Sequence, residues 1–263
     1  MKSAEGKPFI YEKAQLIEVI CQLRFPTILS IDTKEPADFQ ETVREKFPRY
    51  HTQIDRVPGQ GPDRKPREVT NHNFLTEDGS YKLNMTKNFI SLSTMRYAGW
   101  EAFAGVLDEP LGHFINIYRP AYFERVGLRY VNGFSRSVLG LEGRRWNDLI
   151  QPQYLAVLDD DGVDENSVTK CAVDLELRLD ERASLKIHAG PGTVKRAVRT
   201  PQGLQTVQEK ETRFIFDQDL FVHGKVKLPE VTETLEALHG HADRIFSDAI
   251  TDVLHDAMEA VEI

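Results

Sequence analysis

Five residues in two short stretches have the side chains and the spacing to recognise an anion. Gln22 and Arg24 stand two apart in Leu16-Ile17-Glu18-Val19-Ile20-Cys21-Gln22-Leu23-Arg24-Phe25, and Arg125, Gly127 and Arg129 follow one another at the same interval farther along the chain. Ile17, Val19, Cys21, Leu23 and Phe25 alternate with more polar neighbours, and so do Val126, Leu128 and Tyr130. Period two is the signature of a strand with one buried face, so all five residues are expected on the opposite, accessible face. Arginine offers a planar, bidentate donor suited to carboxylate or phosphate, and a glycine beside it leaves backbone open to close approach. The plainer reading keeps Arg24 and Arg129 at home, paired across strands with carboxylates such as Asp174, Glu176 or Glu18.

Other constellations carry less chemistry. Arg64, Lys65 and Arg67 lie in a stretch from Arg56 to Arg67 rich in turn formers, which reads as a locally basic loop able to touch a partner. Arg144-Arg145 and Lys195-Arg196 with Arg199 are further basic groups, a minor argument for nucleic acid. Cys21 and Cys171 both fall in apolar runs, which argues against a disulfide framework, a cysteine-rich zinc site and a reactive thiol. His239 and His241 are two apart, not the four that a zinc-binding helix uses. His255 with Asp252, Asp256 and Glu259 reads as a solvated helix face. Asp159 to Glu165 lacks the glutamate that closes a calcium loop. His188 to Thr193 and Pro58 to Gly61 read as turns, since neither has the ending of a phosphate loop. No hydrolase elbow, kinase set or dinucleotide fingerprint occurs. The expectation is no metal, no cofactor and no assignable catalytic residue.

The elements that must position these groups follow from periodicity. After the opening strand, Phe39, Val43 and Phe47 mark a short helix from Pro36. Three strands come next, near Glu68 to Thr76, Tyr81 to Thr86 and Asn88 to Thr94, the first two joined by an Asp78-Gly79 turn. Gly99 to Tyr118 carries a helical apolar stripe that Pro110 should kink or divide. The second long strand runs from Tyr122 to Phe134. Ser135 to Asn166 has no dominant period beyond a short helix near Trp146 to Gln151. Strands resume at Ser167 to Leu179, Ala183 to His188 and Thr206 to Phe216, and one long helix runs from about Pro229 to Val261.

Strand, short helix, three-strand meander and long helix therefore occur twice, at 1–119 and 120–263, with an insertion near 135–166. Leu23-Arg24-Phe25 and Leu128-Arg129-Tyr130 take matching places in the two opening strands. The fold class expected is α+β: duplicated halves forming one long curved antiparallel sheet with helices on one face, an order that resembles the saddle of TATA-binding proteins.

Thirty-three basic against 41 acidic side chains give 263 residues a net charge of −8, which disfavours non-specific nucleic-acid binding by the surface as a whole. With 40% hydrophobic residues and a mean hydropathy of −0.42, disorder is excluded as the general state. No 18-residue apolar span and no leader-like N-terminus are found, so a cytoplasmic protein without a membrane segment is expected. Glu18–Pro26, Tyr118–Phe134 and Leu228–Thr251 resemble the signature segments of a sporadically distributed bacterial family of about this length, Arg125 to Asn132 being the most specific part. That resemblance implies patchy gene distribution of the kind seen for defence- or toxin-linked genes and supplies no catalytic residue. The functional expectation is a non-enzymatic protein-interaction module whose partner is another protein encoded nearby, with homo-oligomerisation left open. The alternatives are an anion- or nucleotide-binding enzyme or sensor and, third, nucleic-acid binding through the saddle.

Overall fold

Side chains buried on alternate positions set the strands, and the computed structural model of the protein describes them over residues 9–58, 66–200 and 203–262. In chain order the strands are β1 (Phe9–Tyr11), β2 (Leu16–Arg24), β3 (Arg49–Val57), β4 (Arg67–Leu75), β5 (Tyr81–Thr86), β6 (Phe89–Thr94), β7 (Phe123–Phe134), β8 (Val173–Arg178), β9 (Ala183–Gly192), β10 (Lys195–Thr200), β11 (Gly203–Gln208), β12 (Arg213–Val226) and β13 (Ala260–Glu262). The helices are α1 (Leu29–Thr33), α2 (Ala37–Val43), α3 (Trp100–Tyr118), α4 (Arg136–Leu139), α5 (Val231–Ala249) and α6 (Asp252–Ala257). The fold is α+β. Nine strands form one antiparallel sheet in the order β3-β4-β5-β6-β2-β7-β12-β9-β8, with helices packed to one side; β1-β13 and β10-β11 make two small sheets. Among the described residues, no helix is long and apolar enough to cross a membrane.

The chain divides into two compact units, each drawn from discontinuous stretches. Unit I is Glu18–Leu128 with Phe221–Leu238; unit II is made from described residues within Met1–Ile17, Arg129–Leu220 and His239–Ile263. In unit I, Val19, Cys21, Leu23, Phe74, Leu83, Met85, Ile90 and Leu92 bury one sheet face beneath Phe39, Phe103, Leu107 and Phe114 of the helices. Phe25 meets Phe114 at 4.8 Å and Phe39 meets Phe74 edge-on at 5.4 Å. The expected turn is present. Gly79 adopts φ +70°, and Asp78 accepts hydrogen bonds from the Ser80 amide and from the Ser80 and Thr76 hydroxyls, which hold its carboxyl down to about 2. The meander has one strand more than expected, because β3 is exposed on both faces and gives no apolar alternation. Arg56 and Val57 accordingly end a strand, and Arg67 opens the next. Pro110 does not divide α3: the helix runs unbroken for 19 residues, with Pro110 buried on the same side as Phe103, Leu107 and Phe114. That apolar stripe outweighs the roughly 3 kcal/mol a mid-helix proline costs.

In unit II, β1 and β13 pair near the two ends of the chain, and Tyr11 packs on Phe246 and hydrogen-bonds His255 at 3.1 Å. The expected single C-terminal helix is two. Ile250 bridges Ile150, the Gln151 and Thr251 amides bond to Ala249 and Leu149 carbonyls, and the Thr251 hydroxyl caps α6. These tertiary bonds satisfy backbone that a continuous helix would have paired internally. Ser135 to Asn166 contains α4 and four short 3₁₀ turns, one of them in place of the helix expected at Trp146. His188 to Gly192, expected as a turn, lies in β9, and Cys171 precedes β8 rather than lying in a strand.

Candidate functional site

Of the five anion candidates, unit I holds Gln22, Arg24, Arg125 and Gly127. Arg24 Nε donates to Gln22 Oε1 at 3.0 Å, the two-residue strand interval at work. Arg125 lays its guanidinium over the Phe221 ring at 4.7 Å, and in doing so crosses Gly127, where an added Cβ would stand 2.2 Å from its Nη1. The glycine therefore makes room for a stacked cation. Arg129 belongs to unit II, where it forms a two-pronged ion pair with Asp217, Nε to Oδ1 at 2.8 Å and Nη2 to Oδ2 at 2.5 Å. Cross-strand pairing is thus what Arg129 does, with a partner the sequence reading missed because it ended that strand at Phe216.

Around Arg129 the unit II face is a set of such pairs. Lys186 meets Glu176 at 3.2 Å and His188 meets Asp174 at 2.8 Å, each pair directly opposite across β8 and β9. A shallow depression of about 530 Å³ is lined by these groups with Asp217 and Asp219. Four carboxylates against Arg129, Lys186 and an imidazole make it a poor receptor for an anion.

Unit I presents something different. Strand register places Gln22 opposite Ser91, Ser91 opposite Asn84, Asn84 opposite Asn73, and Asn73 opposite His51. Five strands thereby contribute one continuous row of hydrogen-bonding side chains on the face away from the helices. Asn84 Nδ2 donates to Asn73 Oδ1 at 2.9 Å. Ser91 and Ser93 are only 8% and 7% exposed, low between the longer Gln22 and Ile20 on one strand and Asn84 and Lys82 on the other. By strand alternation Arg24, Lys82 and Arg49 lie beside Gln22, Asn84 and His51 of the row, Arg125 lies on the same unit, and Glu18 and Asp55 are acidic residues on the row's own face. The alternating signals were in the sequence as Asn71-x-Asn73, Asn84-x-Thr86 and Ser91-x-Ser93, but only the register shows that they line up.

Among the described residues, the remaining candidates add nothing to this site. Arg64 and Lys65 lie outside the described residues; Arg67 is exposed at the start of β4. Cys21 is fully buried and its thiol is pushed up to about 12 by that burial, so it is no nucleophile at neutral pH. His239 bonds Tyr130, and His241 bonds Arg244. Arg145 donates to the Asp160 and Val163 carbonyls and to Asp161, so the acidic turn is tied to protein. Among the described residues, no group of three His, Cys, Asp or Glu is disposed to hold a metal ion. No protein-family model matches the chain, and no curated protein matches it.

Proposed function

We propose that this chain is a binding module, without catalysis of its own, whose partner is another protein laid across the open sheet face of unit I. The in-register row Gln22, Ser91, Asn84, Asn73 and His51 carries this reading. Amides and hydroxyls both donate and accept, so the row complements exposed peptide groups and polar side chains. The bordering Arg24, Arg125, Lys82 and Arg49 favour a partner with acidic side chains at its margins. The resemblance of three segments to a patchily distributed bacterial family adds a partner encoded nearby and a role in a defence- or toxin-linked system in the cytoplasm. Strand order supports tandem copying of one ancestral unit: outward from β2 come β6, β5 and β4, and outward from β7 come β12, β9 and β8. In both directions the neighbour of the opening strand is the last sheet strand before a 19-residue helix, α3 or α5.

The test is retention of a partner from the source cell by the native chain. A single stoichiometric protein should be retained, lost with Arg24→Ala combined with Asn84→Asp, and kept with Glu176→Ala in unit II. Equal retention by all three chains would refute the assignment of the surface.

A second reading has one observation in its favour, the Arg125 guanidinium spread flat over Phe221 beside a bare strand position at Gly127. It makes the same face a site for a nucleotide or an acidic metabolite. Such a ligand at about 100 times its dissociation constant would stabilise the fold by about 2.7 kcal/mol. A thermal shift that survives intact in Arg125→Ala would dispose of this alternative.

A further inference from the structure

The outermost strand of unit I has an edge that matches a second copy of itself. Among the described residues, β3 closes the nine-stranded sheet and pairs with β4 alone. Its register with β4 is unbroken from Arg49↔Leu75 to Val57↔Arg67, so it is nine residues long with no bulge. Natural edges are usually blunted by brevity, bulges, proline or lysine. Arg49–Val57 is neither short nor bulged and has no Pro, no Lys and no Gly in Arg-Tyr-His-Thr-Gln-Ile-Asp-Arg-Val; the charges that it does carry, Arg49, Asp55 and Arg56, are of mixed sign. Seven of the nine residues are exposed, including Ile54 at 62% and Tyr50 at 37%.

We infer that β3 pairs antiparallel with β3 of a second copy of this chain, about a two-fold axis through Thr52. In an antiparallel pair, opposite residues share a face, and a two-fold axis makes every contact occur twice. With Thr52 on the axis, Arg49 falls opposite Asp55 of the second copy, Tyr50 opposite Ile54, and His51 opposite Gln53. Both charged pairs are therefore of opposite sign, and both large exposed apolar side chains cover one another. Asp55 is already oriented by hydrogen bonds from Gln53 at 2.8 Å and Asn71 at 3.0 Å, which lowers the cost of ordering it in the contact.

The other end of the sheet gives the contrast. On β8 the register that sets Asp174 opposite Arg178 also sets Glu176 opposite itself, and shifting the axis to Leu175 sets Asp174 opposite Glu176. A two-fold axis at Asp174, Leu175 or Glu176 thus brings carboxylates together, which strand pairing penalises, and only an axis at Leu177 at the end of the strand, with Glu176 opposite Arg178, avoids this. On β3 the register about Thr52 pairs opposite charges and covers Tyr50 with Ile54 along most of the strand. This inference does not rest on what occupies the open face, which it adjoins at Arg49 and His51.

The experiment uses the full chain and reads mass against concentration by analytical ultracentrifugation. A reversible dimer is expected for the native protein. Asp55→Arg, which sets like charges opposite each other twice, should weaken it by about tenfold or more, and Arg49→Asp with Asp55→Arg should restore it. A monomer at every concentration overturns the inference, and so does a dimer that Asp55→Arg leaves unchanged. Cysteine cross-linking keeps the test decisive if a charge variant fails to fold. Oxidation should give a covalent dimer with Thr52→Cys, which lies opposite its own copy at a Cα separation a disulfide spans, and none with Leu177→Cys on β8. No covalent dimer with Thr52→Cys, or an equal yield with both, overturns it.

Discussion

At the scale of single residues, what matters is which charges are already satisfied inside the chain. Arg129 and Asp217 are 45% and 15% exposed, so their two-pronged pair is partly screened by water. A double-mutant cycle on Arg129→Ala and Asp217→Ala should give a coupling of about 0.5–1 kcal/mol that shrinks in high salt. Gly127→Ala should displace the Arg125 guanidinium from Phe221 at a cost of about 0.5–1 kcal/mol, with no further loss in an Arg125→Ala background. Thermal denaturation of the four chains checks this. His72, hydrogen-bonded to the Tyr50 hydroxyl at 2.9 Å, is pushed below its ordinary 6.5 by burial, against the pull of the Ile31 backbone, Asp32 and Glu35. A depressed imidazole binds fewer protons folded than unfolded. Its contribution is therefore present above 6.5 and lost as pH falls toward the folded value. The melting temperature of the native chain should fall more steeply between about pH 7 and pH 5 than that of His72→Gln.

At the scale of elements, strands with one buried face were legible and strands without one were not. β2 and β7 announce themselves because Val19, Cys21 and Leu23, like Val126, Leu128 and Tyr130, alternate with polar or glycine positions. β3 stays hidden because exposure on both faces removes the alternation that apolar periodicity detects. The single strand expected from Thr206 to Phe216 is instead the end of β11 and the start of β12, which continues through Asp217, Asp219 and Phe221 to Val226. The C-terminal helices read as one because the apolar spacing continues across Ile250; the break comes from the bridge to Ile150, a tertiary contact no local pattern encodes. Backbone approach is equally invisible. Gly190 has φ +158°, and a Cβ there would stand 2.4 Å from the Cys171 carbonyl oxygen, which only a backbone shift can relieve. Gly190→Ala should cost about 1–3 kcal/mol by denaturant unfolding, whereas Gly143→Ala, with nothing within 4 Å, should change stability by less than about 0.5 kcal/mol.

At the scale of the whole molecule, the antiparallel α+β class and the helices on one side followed from counting alternations. The compact units did not, because each is assembled from segments far apart in the chain. The candidate site was half legible. Gln22, Arg24, Arg125 and Gly127 could be named from two strands, while Ser91, Asn84, Asn73 and His51 join them only through four strand registers. A row of polar donors and acceptors on a sheet face bordered by cations is the feature on which the functional account depends. Site-specific photocrosslinking in the source cell tests it most directly, with the reactive residue placed either at Asn84 in unit I or at Glu176 in unit II. The account predicts one defined protein adduct from Asn84 and none from Glu176; adducts from Glu176 alone, or none from Asn84, would contradict it.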